Sequence, residues 1–247
     1  MSRSDERGPF RFLVVLGEST VQGGDWLRKP SDRWADILRD LLESAQEEPL
    51  GYHNAGLGAS VLTPRSPGYE ASAKPSAVER LDDDVIAHRP DLVVVAYGLN
   101  DMRAGMDLHA FRSEYEGLLH RLTDALAPTI VVANIYLMTS YRHYPPFDRG
   151  SREATLAYNE MLLELAQDHG CLYADIWSAQ GERDHTVHLD TVHANRIGNL
   201  LIAHEVFKTI VHGSPGMARR MMARDAGTEW TKSCLAIQAQ SRERSER

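Results

Sequence analysis

Four residues stand out for the chemistry their types and spacing could support: Ser19, Asn100, Asp190 and His193. A serine hydroxyl is a poor nucleophile until a base takes its proton, and a histidine serves as that base when a carboxylate holds its other ring nitrogen. Asp190-Thr191-Val192-His193 supplies both partners in one short segment. The three-residue spacing lets the carboxylate fold back on the ring at little entropic cost. Acyl transfer also needs donors for the developing oxyanion, and losing one costs about 10²–10³ in rate. Asn100 offers its side-chain NH₂, Ser19 its own N–H, and the Gly58-Ala59 region a third donor.

These residues need elements to bring them together. Phe12-Leu13-Val14-Val15-Leu16 is an apolar run that stops at Gly17 and then presents Ser19. It reads as a strand buried on both faces, with Ser19 leaving its carboxyl end. Asp91 to Tyr97 is equally apolar and leads into Gly98-Leu99-Asn100-Asp101. Further strands are expected around Tyr52-His53, over Thr129–Ile135 and over Cys171–Ala174. Helices are expected from Ser31-Asp32 to the stop at Glu47-Glu48-Pro49, over Ser76–His88, Asp107–Leu126 and Ser151–His169, and from about Ala194 to His212. Trp34 falls on the apolar face of the first of these and is assigned to the core. This alternation predicts an α/β fold: a three-layer α/β/α sandwich on a five-stranded parallel sheet, in the flavodoxin-like order 2-1-3-4-5. Strands one and three are then neighbours, so Ser19 and Asn100 share a sheet edge. Residues 1–212 form the domain. Residues 213–247 read as a tail, partly helical or disordered, in which Trp230 and Leu235 leave room for a dimer contact.

The three blocks around Ser19, Asn100 and Asp190-x-x-His193, in this order, resemble the SGNH (GDSL-like) hydrolase family over about residues 11 to 212. The G-x-S-x-G elbow of α/β-hydrolases is absent, since Gly17-Glu18-Ser19-Thr20-Val21 lacks the second glycine. The resemblance implies a serine esterase: Ser19 the nucleophile, His193 the general base, Asp190 its orienter and Asn100 an oxyanion donor. It implies a small-molecule ester as substrate, with small-acyl esters, acetylated carbohydrates, lipids or thioesters in range, and no cofactor. Two departures matter. The family usually has Gly-Asp-Ser where this chain has Gly-Glu-Ser, so Glu18 must fit the place of a shorter carboxylate. The glycine that ends the family's second block falls, counting from Asn54, on Ala59, leaving Gly58 and Ala59 as alternative donors.

Composition narrows the alternatives. The net charge of −8, from 35 acidic and 27 basic residues, carries no long single-sign block and gives no nucleic-acid footprint. No stretch approaches the roughly 20 apolar residues of a membrane span. The loop Asn54–Ser60 has neither a following Gly-Lys-Ser/Thr nor a full G-x-G-x-x-G, so no nucleotide is expected. Cys171 and Cys234 lack metal-ligand spacing, and the polar start of the chain has no apolar leader, which together read as cytoplasmic. A homo-oligomer is compatible with this composition. Two rival readings compete. A metal-dependent hydrolase would use the cluster Asp184, His185, His188, Asp190 and His193, but leaves Ser19 and Asn100 without a task. A non-enzymatic binding module on the same fold leaves the whole set unexplained. The Asp82-Asp83-Asp84 run points to several sides of its helix and reads as a solvated face. The segments at 22–30, 60–75 and 138–150 are expected to border the pocket.

Overall fold

The structure, a computed structural model, describes residues 8–46, 48–141 and 144–245. Glu47 in the helix stop, His143 in the aromatic 138–150 loop, and the chain ends at 1–7 and 246–247 lie outside the described residues.

Five parallel strands form one sheet: β1 (Phe12–Gly17), β2 (Gly51–Gly56), β3 (Leu92–Ala96), β4 (Thr129–Ala133) and β5 (Leu172–Ala174), in the order β2-β1-β3-β4-β5. The predicted α/β fold and strand order are therefore observed. Leu13 to Leu16 and Leu92 to Val95 are fully buried, as strands covered on both faces require. Leu13 pairs with Tyr52 on one side and Leu92 on the other, and Gly17 pairs with Gly56 and Ala96. All strand carboxyl ends thus reach the same edge.

Short α1 (Ser19–Gln22) follows β1, and α2 (Trp34–Gln46) leads to β2. Next come α3 (Ala77–Asp84), α4 (Leu99–Arg103), α5 (Leu108–Leu126), α6 (Arg152–Asp168), α7 (Ile176–Gln180) and α8 (Arg196–His212). Right-handed crossovers place α2 and α8 on one face, where they pack together, and α3, α5 and α6 on the other, with α5 against α6. Side-chain caps define several starts: Asp107 accepts from Ala110 N–H, Ser151 from Ala154 N–H and Asn195 from Ile197 and Gly198 N–H. Ser76 and Glu79 form a capping box on α3.

Several boundaries move from the sequence expectation for local reasons. The turn at Pro30–Asp32 is a separate 3-10 helix, and Arg33 is extended before α2 begins. Asp32 is buried there and ion-paired to Arg196. Strand β4 ends at Ala133 because both the N–H and the carbonyl of Ile135 bond to the Asn159 side chain instead of a neighbouring strand. The segment after Gly213, read as a tail, forms two helices, α9 (Pro215–Ala226) and α10 (Glu229–Ser245). Pro215 stands at the first helical position of α9, where a missing N–H costs nothing. Met217 is buried in the main core, and α9 touches both α2 and α8. Trp34 is buried, with its indole N–H on the Thr20 carbonyl. No described helix is long and apolar enough to cross a membrane.

Candidate active site

Ser19 opens α1 directly at the end of β1. The turn is tight enough that a Cβ on Gly17 would lie 2.3 Å from Val21 Cγ2, and one on Gly56 would lie 2.2 Å from the Gln22 N. Only glycine lets α1 sit this close to both strand ends. Asn54 anchors the helix by donating to the Val21 carbonyl at 2.9 Å, and Leu57 N–H bonds to the Gly17 carbonyl at 3.0 Å.

Asp190 and His193 lie on a closed loop between α7 and α8. Val187 and Ala194 form an isolated antiparallel bridge, His188 N–H bonds to the His193 carbonyl at 2.7 Å, and Thr191 turns the tip at φ +69°. Within that tip Asp190 Oδ1 accepts from the Val192 and His193 N–H groups, at 3.0 and 2.9 Å. Its Oδ2 lies 2.8 Å from His193 Nδ1, and His193 Nε2 lies 2.9 Å from Ser19 Oγ. The structure thus joins Ser19, His193 and Asp190 in one hydrogen-bonded chain. Burial works against the charge on Asp190, but the N–H groups of His193 and Val192 and the His193 ring more than offset it and hold the carboxyl down at about 2. Burial lowers the His193 pKa despite the Asp190 charge, and Arg103 and His188 push the same way. The imidazole is therefore neutral at neutral pH, the form that can accept a proton.

Asn100 sits in the first turn of α4. Its Nδ2 donates to the Ser60 carbonyl at 2.9 Å and its Oδ1 accepts from Arg103 Nη1 at 3.2 Å. Beneath it Glu18 spans from β1 to β3, its Oε1 accepting from Gly98 N–H at 3.0 Å and Asn100 N–H at 3.3 Å. The longer Glu18 side chain is accommodated in full burial, and burial together with nearby Asp101 pushes its carboxyl up to about 8. Asp101 is itself pushed up to about 7 by burial, although both its oxygens accept from Leu62 N–H. On the facing loop, Gly58 N–H donates to Gln22 Oε1 at 2.7 Å. Among the described residues nothing accepts from Ala59 N–H, and Ala59 adopts φ +56°, a left-handed conformation that favours glycine.

These groups line an open cavity of about 490 Å³ that includes Ser19, Gly58, Ala59, Asn100, Asp190 and His193. All six site residues named from sequence border it. Trp26 and Tyr144 border it as well, in the 22–30 and 138–150 segments expected there, whereas no residue of 60–75 does; Arg103 also borders it, and the sequence did not assign it. Trp26 stacks face to face on His193, with ring centroids 3.7 Å apart and planes 14° from parallel. A Cβ on Gly24 would fall 2.1 Å from the indole Cζ3, so Gly24 is what lets the indole lie flat. An aromatic residue two positions after a glycine pair, close behind the serine, is the one signal that could have marked it. Among the described residues no three His, Cys, Asp or Glu side chains gather in a metal-binding group.

A profile of the GDSL-like lipase/acylhydrolase family matches residues 15–201. The chain belongs to this GDSL-like family. As a family member it is a carboxylic ester hydrolase. An acetylxylan esterase of Geobacillus stearothermophilus is 27% identical over 165 residues, covering 62% of this chain and 67% of that protein. The crystal structure of Axe2, an acetylxylan esterase from the same organism, superposes with a TM-score of 0.63 at 18% identity, over 84% of this chain and 96% of the other. The lipase/acylhydrolase of Enterococcus faecalis superposes at 0.64 with 19% identity, over 81% and 95%. At these identities the superpositions establish that the GDSL-like fold is shared.

Proposed function

We propose that the protein is a metal-independent serine esterase that works through an acyl-enzyme. His193 Nε2 takes the Ser19 Oγ proton as Oγ attacks the ester carbonyl, Asp190 holds the ring in the Nδ1–H tautomer, and the protonated imidazole returns the proton to the leaving alcohol. Water then repeats the sequence to release the acid. The observation that carries this reading is the Ser19–His193–Asp190 chain, at 2.9 and 2.8 Å, opening onto the cavity.

The oxyanion is received by the N–H groups of Ser19 and Ala59 and by Asn100 Nδ2. Ala59 is preferred to Gly58 because the Gly58 N–H is already held by Gln22, whereas the Ala59 N–H has no acceptor among the described residues. Its left-handed backbone accounts for the glycine usual at that place in the family, and Ala59 keeps the one atom the task requires. The substrate is a small-acyl ester, with an acetyl group on a carbohydrate as the first candidate. The acetylxylan esterase relative supports that choice, as does a wide cleft that leaves the alcohol part room to extend.

Intact-mass analysis after treatment with a fluorophosphonate probe tests the assignment. One adduct mapping to Ser19 in the wild type and none in Ser19→Ala is expected. An adduct elsewhere, or an active Ser19→Ala protein, would sink it. Acetate release from acetylated xylo-oligosaccharides then tests the substrate class.

A further inference from the structure

We propose that Arg103 is a positioning residue for this reaction, holding the Asn100 amide in the orientation that leaves one N–H free for the oxyanion and polarising that N–H. The inference rests on the reading of Asn100 as an oxyanion donor. Arg103 and Asn100 stand three positions apart on α4 and so share a face. An asparagine amide can be turned over with no change of shape, and only its partners decide which way it points. Here both partners agree. Oδ1 accepts from Arg103 Nη1 at 3.2 Å, and Nδ2 donates to the Ser60 carbonyl at 2.9 Å. Turning the amide over would set oxygen against oxygen at Ser60 and N–H against guanidinium at Arg103. The remaining Nδ2 hydrogen has no partner among the described residues, and Asn100 lines the Ser19 cavity.

The charge of Arg103 adds to this. Its side chain is only 6% exposed, it makes no ion pair with any described carboxylate, and its Nε is buried without a partner. It rests over the Phe147 ring, 5.8 Å from the centroid. Glu18, the carboxylate that acts on it electrostatically, is itself kept protonated by burial up to about 8, and a cation largely withdrawn from water without an ionised counter-charge is costly to keep. The negative charge that forms on the substrate oxygen beside Asn100 would supply that counter-charge in the transition state alone, which is the condition for raising kcat instead of tightening ground-state binding. The guanidinium acts through the amide, since a cation hydrogen-bonded to Oδ1 draws electron density from the N–H groups.

The test is a double-mutant cycle on p-nitrophenyl acetate hydrolysis with Arg103→Met, Asn100→Ala and the pair, plus Arg103→Lys. In the wild-type background Arg103→Met is expected to lower kcat roughly ten- to a hundredfold, a fraction of what losing a whole oxyanion donor costs, with KM nearly unchanged. In the Asn100→Ala background the same change is expected to cost less than about twofold, because the two residues act as one unit. Arg103→Lys, which keeps the cation and a donor, is expected to recover most of the rate. Losses that multiply in the double variant, or a raised KM with kcat kept, would overturn the proposal and leave the role of Asn100 standing. An unchanged kcat in Asn100→Ala would overturn both. If Arg103→Met gives no cooperative melt, the neutral Arg103→Gln takes its place in the cycle with the same expected losses.

Discussion

An indole lying flat on an imidazole does two things to that ring: it fixes its plane and it covers one face against water. Trp26 does this to His193 at 3.7 Å between centroids, and stacked aromatic pairs contribute about 0.5–1.5 kcal/mol beyond their buried area. Trp26→Leu is therefore expected to lower kcat/KM by roughly three- to tenfold while lowering the melting temperature by no more than about 6 °C. The wild type should lose activity as pH falls through the His193 pKa, which burial sets below the ordinary 6.5. Because an imidazolium quenches indole fluorescence, a fluorescence titration should give the same midpoint as the acid limb of kcat/KM, and Trp26→Leu should lose that titration. Glu18 makes a second prediction. The native protein keeps its proton up to about 8, whereas the unfolded chain releases it near 4.5. Stability from this group is complete below 4.5 and declines as pH rises towards 8. Denaturant midpoints should fall between about pH 5 and pH 8 in the wild type and fall less in Glu18→Gln, with Asp101 keeping part of the slope. A steeper fall in the variant would contradict the burial of Glu18 as a neutral acid.

At the scale of elements, the site depends on holding the ends of β1 and β2 together. Arg80, buried on α3, does this with one nitrogen: Nη2 donates to the Gly17 carbonyl at 3.0 Å, the Ala55 carbonyl at 2.8 Å and the Tyr97 hydroxyl at 2.8 Å. Its Nη1 pairs with Asp84 at 2.6 Å. Asp84 thus belongs to the Asp82–Asp84 run that reads as a solvated face, yet it steers a buried cation. Arg80→Met would take a donor from the Ala55 carbonyl and the Tyr97 hydroxyl and leave the Gly17 carbonyl with the Leu57 N–H alone, and is expected to cost about 1.5–3 kcal/mol in urea unfolding. Activity should fall with it as Ser19 and Ala59 lose their common support. A loss below 1 kcal/mol, on the order of an exposed ion pair, would show that the β1 and β2 ends hold without it.

For the whole molecule, the core closes around α9 and not around α10. Met217 of α9 is 1% exposed, while Trp230 and Ile237 of α10 are 77% and 63% exposed. Removal of residues 229–247 is expected to leave the melting temperature within about 2 °C and kcat/KM unchanged, because little apolar surface leaves water there. Met217→Ala should instead cost about 2–5 kcal/mol, as buried large-to-small changes do. A large loss of stability from the truncation would mean that α10 is part of the cooperative unit.

The sequence by itself determined the sheet and the order of its strands. Buried parallel strands are continuous apolar runs, as at Leu13–Leu16 and Leu92–Val95, and right-handed crossovers leave few ways to connect them. It also determined which polar residues reach the functional edge, because Ser19, Asn100 and Asp190-x-x-His193 each follow a strand or close the last one. What only the tertiary structure decided is how groups distant in the chain face one another. The flat contact of Trp26 on His193 and the hold of Glu18 on Gly98 and Asn100 pair residues some 80 to 170 positions apart, and no periodicity encodes such pairs. The proposed preference for Ala59 over Gly58 rests on Gln22 holding the Gly58 N–H. That is a matter of hydrogen-bond geometry in three dimensions, where each donor has one proton and the fold decides which acceptor reaches it first.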